Sequence, residues 1–184
     1  NINDVLNNYA QNNNNFIKLY TNGGIRDNTF WIELAKLNIV TTFSIDGLED
    51  TNHLYRRNVK WEKLIANVEA YIGAGGKAVW DFLIFKHNEH QIEEARALSK
   101  KLGFLNFIPK HTGRWKDYSD AGEYRDTDRV AVDGYYLEKP VSQNNPEQIE
   151  NVRLLEYYKD KDATYKKIIC KSFWVFSIFF ATLI

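Results

Sequence analysis

Two rhythms of apolar residues alternate along this chain. Short runs rich in β-branched and aromatic residues, at Phe16–Thr21, Ile39–Phe43, Ala78–Phe85 and Phe104–Pro109, have the character of strands. Between them the apolar positions fall at helical spacing. Asp27 or Asn28 can cap a helix through Leu37, with Phe30, Trp31, Leu34 and Ala35 turned inward. The stretch Asn58–Ile72 is the clearest helix: Trp61, Leu64, Ile65, Val68, Tyr71 and Ile72 share one stripe, and Gly73, Gly75 and Gly76 stop it. Asn88 and Gln91 have the spacing of a capping box that opens a helix to Leu102, closed by Gly103. Strand and helix in this repeated order predict βαβ units and an α/β fold with a parallel sheet, open or curled into part of a barrel.

The ends of the chain keep neither rhythm as clearly. Ile2, Val5, Leu6 and Tyr9 suggest an amphipathic helix before the first strand. After Lys110 the pattern becomes irregular, although Val130–Val132 and Tyr135–Leu137 flank Asp133-Gly134 as a hairpin would. Pro146 opens a last helix to about Lys159. Ser172–Ile184 is apolar and uncharged, yet shorter than the roughly twenty residues a bilayer-spanning helix needs, so no membrane partner is expected.

Composition narrows the function classes. At 184 residues the chain is the size of one domain. Its 24 basic residues balance its 24 acidic ones, which gives no basic surplus for nucleic acid. The single cysteine, Cys170, excludes an internal disulfide and fits a reducing compartment, and residues 1–15 lack the apolar core of a leader; a cytoplasmic location is expected. No methionine occurs, even at position 1, so the sequence reads as a fragment of a longer protein.

If the strands are parallel, their carboxyl ends surround one ligand edge. That edge carries Thr21–Gly24, Ser44–Gly47, Lys86–Asn88 and Ile108–Lys110. The short polar side chains of Asn22, Ser44 and Asp46 suit hydroxyl and amino groups. Arg56 can clamp a carboxylate through two parallel hydrogen bonds. A polar, zwitterionic ligand with sugar-like hydroxyls is implied, its flat ring lying against the apolar surroundings of Ile108. Asp-Gly and Asn-Gly-Gly are ordinary turn chemistry by themselves; their joint placement with Ser44 and Arg56 is what indicates a site. Arg57 reads as a solvated or helix-adjacent charge, and His87-x2-His90 lacks an acidic or cysteine ligand in register.

These same features, TNGG after one strand, SIDG after the next and an arginine twelve residues beyond the serine, resemble the radical S-adenosylmethionine superfamily. The likeness is strongest to the branch with a cysteine-rich extension after the barrel, the SPASM or twitch proteins, and covers roughly Phe16 to Trp115. It implies a partial (βα)6 TIM-like barrel truncated at its amino terminus, with Phe16–Thr21, Ile39–Phe43, Ala78–Phe85 and Phe104–Pro109 as strands three to six. Residues 1–115 would be the carboxyl-terminal part of that barrel, and 116–184 an irregular region, a helix and the apolar tail. By the same likeness Ser44 and Asp46 hold the ribose and amino-acid portions of S-adenosylmethionine, Arg56 its carboxylate and Ile108 its adenine, with Asn22 flanking the cofactor. His53 fits a frequent histidine of the SIDG-x5-H pattern, without an assigned role.

The resemblance further implies an enzyme whose [4Fe–4S] cluster cleaves the cofactor into a 5′-deoxyadenosyl radical that abstracts hydrogen from a substrate, with a peptide as the candidate. The family's Cys-x3-Cys-x2-Cys loop is absent from this sequence. The expectation is therefore a truncated chain, inactive alone, with a non-catalytic ligand-binding module as the alternative. Cys170 ends a KIIC run that resembles the start of the cysteine-rich extension, and it would ligate an auxiliary cluster only in a complete parent. The apolar tail beyond it does not resemble that extension.

Overall fold

The sheet takes its order directly from the chain. In the computed structural model, which describes residues 16–37, 39–112, 115–118, 124–126, 129–132, 135–141 and 165–169, strands β1 (Phe16–Thr21), β2 (Ile39–Ser44), β3 (Lys77–Ile84) and β4 (Asn106–His111) lie side by side and parallel. A further strand, Tyr165–Ile169, pairs parallel with the outer edge of β1. Right-handed crossovers between successive neighbours that never reverse direction must all pass on one side of a sheet. The helices α1 (Asn28–Ala35), α3 (Trp61–Gly73) and α4 (Ile92–Leu102) accordingly pack together over one face, while the single turn α2 (Asn52–Tyr55) follows β2. A doubly wound sheet reverses its strand order and carries helices on both faces. The one-sided order among the described residues is compatible with an arc of a βα barrel.

Strand alternation sorts side chains between the two faces. Ile39 and Phe43 of β2, Ala78, Trp80, Phe82 and Ile84 of β3, Leu19 of β1 and Phe107 of β4 enter the core beneath the helices. Thr41 lies on the same side, where its hydroxyl donates to Tyr71 Oη on α3 at 2.9 Å. Phe43 sits at the centre, with ring centroids 5.3 Å from Trp31, 5.7 Å from Tyr71 and 6.0 Å from Phe104. Pairs of this kind contribute about 0.5–1.5 kcal/mol each beyond their area burial.

Element boundaries depart from the sequence pattern where the backbone needs a special conformation. Helix α1 starts as expected, with Asp27 Oδ1 accepting from the Phe30 N–H at 3.0 Å. Helix α3 starts at Trp61 and not Asn58, because Asn58 is left-handed at φ 60° and Lys60 is extended. Gly103, at φ 89°, ends α4 as its position predicts.

The predicted hairpin forms between β7 (Arg129–Val132) and β8 (Tyr135–Glu138), with Val130 opposite Leu137. A small ribbon of β5 (Lys116–Tyr118) and β6 (Tyr124–Asp126), which apolar periodicity did not indicate, precedes it. The expected first helix, the helix after Pro146, Cys170 and the apolar tail lie outside the described residues. Among the described residues, no helix is long and apolar enough to cross a membrane.

Truncating the central ring, Phe43→Ala, should cost about 3–5 kcal/mol. Urea unfolding should show this as a lower midpoint at unchanged slope; a loss under about 1 kcal/mol would mean that the core is not organised around this residue.

Candidate functional site

The edge at the carboxyl end of β2 is built by a turn that drives a carboxylate into the protein. Beyond Ser44 the ladder runs on for one residue, as the Ile45 N–H donates to Asp81 O at 3.0 Å and Trp80 Nε1 donates to Ile45 O at 2.8 Å. Gly47 then turns at φ 146°, where an added Cβ would collide with Thr51 Oγ1 and lie 2.7 Å from Asn52 N. This turn places α2 so that Asn52 Oδ1 accepts from the Asp46 N–H at 3.0 Å. Arg56, one residue beyond α2, donates from Nε to Asp46 Oδ2 at 2.5 Å. The Leu83 N–H donates to the other carboxylate oxygen at 2.6 Å.

Asn88 and Gln91 do not form the expected capping box. Asn88 makes no capping hydrogen bond, and a 3-10 turn (Glu89–Gln91) precedes α4. Both side chains are buried under the loop. Asn88 donates to Asp46 O and Leu83 O, each at 2.9 Å, and accepts from the Phe85 N–H at 2.7 Å. Gln91 accepts from the Leu48 N–H at 3.1 Å and from the Thr51 hydroxyl, and donates to Asp50 Oδ1 at 2.7 Å. A cap would satisfy one orphan N–H, whereas a buried carboxamide here satisfies three backbone groups from two strand ends.

The electrostatics follow from depth. Burial raises the Asp46 carboxyl above its ordinary range; the Arg56 guanidinium and the Leu83 N–H pull it down without cancelling that effect, and nearby Asp81 adds to the rise. The Arg56 side chain is 24 % exposed and rests 4.9 Å over the Tyr55 ring. Only its Nε is committed to Asp46, so the two terminal amino groups have no partner among the described residues. Arg57 is half-buried and lies 3.2 Å over the Tyr135 ring of β8.

The other sequence-derived residues form a row across the strand ends. Register sets Ser44 beside Asp81 and Asp81 beside Ile108. Asn22 follows the last paired residue of β1, Thr21, which lies opposite Phe43. Ser44 and Ile108 are half-buried, and the Ser44 hydroxyl makes no hydrogen bond among the described residues. Asn22 Oδ1 accepts from the Gly24 N–H at 3.1 Å. The turn is held from below by Asn67, fully buried on α3, whose Nδ2 donates to Gly23 O at 2.8 Å and Ile25 O at 3.2 Å. Sequence reading passed over Asn67; the available signal was an asparagine next to the apolar stripe, adjacent to Val68.

Burial lowers the pKa of His87, its neighbours His53 and His90 lower it further, and its ring stacks on Phe85 at 5.3 Å. Among the described residues, no three histidine, cysteine or acidic side chains gather as a metal site would require.

No family model matches the sequence, and no curated protein matches it. Among solved structures, the chain resembles Streptococcus suis SuiB at 17% identity and a TM-score of 0.49, covering 83% of this chain and 32% of that one. It also resembles SuiB bound to S-adenosylmethionine, at 16% identity and a TM-score of 0.50 with the same coverage. The likeness is one of fold, and the chain spans about a third of SuiB's length.

Asn88→Ala should destabilise the protein by about 3 kcal/mol or more, since it strands buried backbone groups; thermal melting checks this. A second test concerns pH. A carboxyl whose folded pKa exceeds its unfolded one, about 3.9, contributes stability that is full below the unfolded value and lost as pH rises through the folded value. Wild type should therefore lose melting temperature relative to Asp46→Asn between about pH 3 and neutrality. The opposite slope would mean that Arg56 overrides burial.

Proposed function

We propose that the carboxyl edge of β1–β4 binds S-adenosylmethionine. The observation that carries this reading is the oriented guanidinium: Arg56 is fixed through Nε by a buried carboxylate and keeps its paired amino groups at a strand edge that also presents Ser44 and Ile108. A bidentate contact to the methionine carboxylate suits such a group. In this arrangement Asp46 acts through Arg56 and positions it, because its own side chain is fully buried. Ser44 takes a ribose hydroxyl, Asn22 flanks the amino-acid portion and Ile108 lies against adenine. The sequence resemblance to radical S-adenosylmethionine proteins supports the reading, and so does a fold shared with a protein solved with that cofactor.

The radical chemistry belongs to the proposal for a complete protein. A [4Fe–4S] cluster, which would supply the electron for cofactor cleavage, does not fit the donors of this chain: the sequence holds one cysteine, and the family's cluster loop supplies three. On this reading the cluster ligands belong to a longer parent, where the substrate is hydrogen-bearing and a peptide is the candidate. The same shortage of thiolates favours the second reading, a ligand-binding module without catalysis. An in-frame Cys-x3-Cys-x2-Cys run upstream of Asn1 in the coding sequence would decide for the enzyme.

Calorimetric titration of this chain with S-adenosylmethionine tests the core of the proposal. Arg56→Ala should weaken binding by about 2 kcal/mol, or roughly thirtyfold. Arg56→Lys retains a charge for Asp46 and should still lose the bidentate contact. Binding that is absent in wild type, or unchanged in both variants, rejects the assignment. Reconstitution with iron and sulfide should leave the chain without iron–sulfur absorbance.

A further inference from the structure

The β7–β8 hairpin is joined to the end of β3. Lys86, just beyond that strand, donates its N–H to Glu138 O at 3.1 Å, and the Val141 N–H donates to Glu89 Oε1 at 3.2 Å. Phe85, Trp115 and Leu137 complete the contact as a small apolar cluster of their own, with Tyr55 and Leu83 packed against it. The Phe85 ring lies 6.0 Å from Trp115 and 4.8 Å from Tyr55 between centroids.

Three paths lead from this contact to the Asp46–Arg56 pair. Tyr55 precedes Arg56, and the guanidinium rests 4.9 Å over its ring, so one aromatic side chain both meets the cluster and carries the cation. Leu83 packs against the cluster and donates its N–H to Asp46 Oδ1 at 2.6 Å. Arg57, the residue after Arg56, lies over the Tyr135 ring of β8. The neighbours of Arg56 on both sides in the chain are therefore anchored here. The contact is also shallow. Its core is three buried side chains, the Lys86–Glu138 ion pair is 53% exposed on both sides, and Trp115 Nε1 is buried without a hydrogen-bond partner among the described residues. A contact of this size docks weakly enough for a ligand to shift it.

We propose that Trp115, Tyr135 and Leu137 are positioning residues for Arg56: docking of the hairpin side fixes the guanidinium, and a carboxylate bound by Arg56 tightens the docking in return. Such coupling is reciprocal by thermodynamic linkage. None of the three touches the ligand; they act through Tyr55, Leu83 and Arg57. The proposal rests on the cofactor reading for the identity of that ligand, while the orienting of Arg56 stands apart from it.

Two measurements on the full chain test this. The first needs no ligand: NMR hydrogen exchange of the Arg56 Nε–H, which donates to Asp46, with the Trp80 Nε1–H, which donates to Ile45 O, as a reference at the same sheet edge. Leu137→Ala should speed exchange at Arg56 roughly tenfold and leave Trp80 unchanged. Tyr135→Ala, which removes a largely exposed ring and opens no core cavity, should act in the same direction. Unchanged exchange at Arg56 in both variants, or equal acceleration at Trp80, would overturn the proposal. The second measurement compares S-adenosylmethionine with 5′-methylthioadenosine, which keeps the adenosine and lacks the carboxylate. Leu137→Ala should weaken the first about fivefold through lost preorganisation, leave the second unchanged, and have no further effect in an Arg56→Ala background. Equal weakening of both ligands would mean a general loosening and reject the positioning role. If wild type binds neither ligand, the cofactor reading fails and the exchange result alone decides the positioning, so the two failures are distinguishable.

Discussion

The carboxylate of Asp46 is the point on which the edge of this sheet depends. It has left water completely, and the Arg56 guanidinium and the Leu83 N–H are what replace that solvation. A buried ion pair adds little net stability over a well-packed apolar pair, but neither partner can leave without stranding the other. The loop from Ser44 to Arg56 is therefore committed to one path. Gly47 makes the turn, Asn52 and Asn88 hold the Asp46 backbone, and Gln91 ties the loop to the start of α4.

This commitment links structure to the proposed chemistry. An arginine on a free loop would spend side-chain entropy each time it closed on a ligand. Arg56 has already been oriented through Nε, which leaves its flat pair of amino groups available. The energetic load falls on burial of Asp46, whose raised pKa records the desolvation that the pair does not recover. The stranded hydroxyl of Thr42, further back along β2, is a cost of the same kind.

Much of the fold was legible because its signals are local. Four strand runs, the stripe of α3 and the glycine after α4 arise from periodicity and backbone freedom, and each stands close to its expected position. Misplaced boundaries trace to residues whose conformation is set by distant partners. Asn58 looks like a helix start, but its left-handed turn belongs to the loop that delivers Arg56. Asn88 and Gln91 look like a cap, but their partners lie on β2 and β3 and in the loop at Leu48–Thr51. A carboxamide's choice between a local and a remote backbone group is not written in its spacing.

By itself the sequence determined the order of strands and helices and the parallel sheet that this order requires, and it nominated Asn22, Ser44, Asp46, Arg56 and Ile108 as candidates at the strand ends. Apolar spacing and turn chemistry are properties of neighbouring residues, so no folded context was needed to read them. Only the tertiary structure decided that Asp46 pairs with Arg56, that Asn67 and Asn88 hold the turns, and that Ser44 and Asp81 lie side by side on the face away from the helices. Those outcomes depend on which strand lies beside which and in what register, and on how far each polar group is carried from water. Ser44 and Asp81 are far apart along the chain and become neighbours only when β2 pairs with β3.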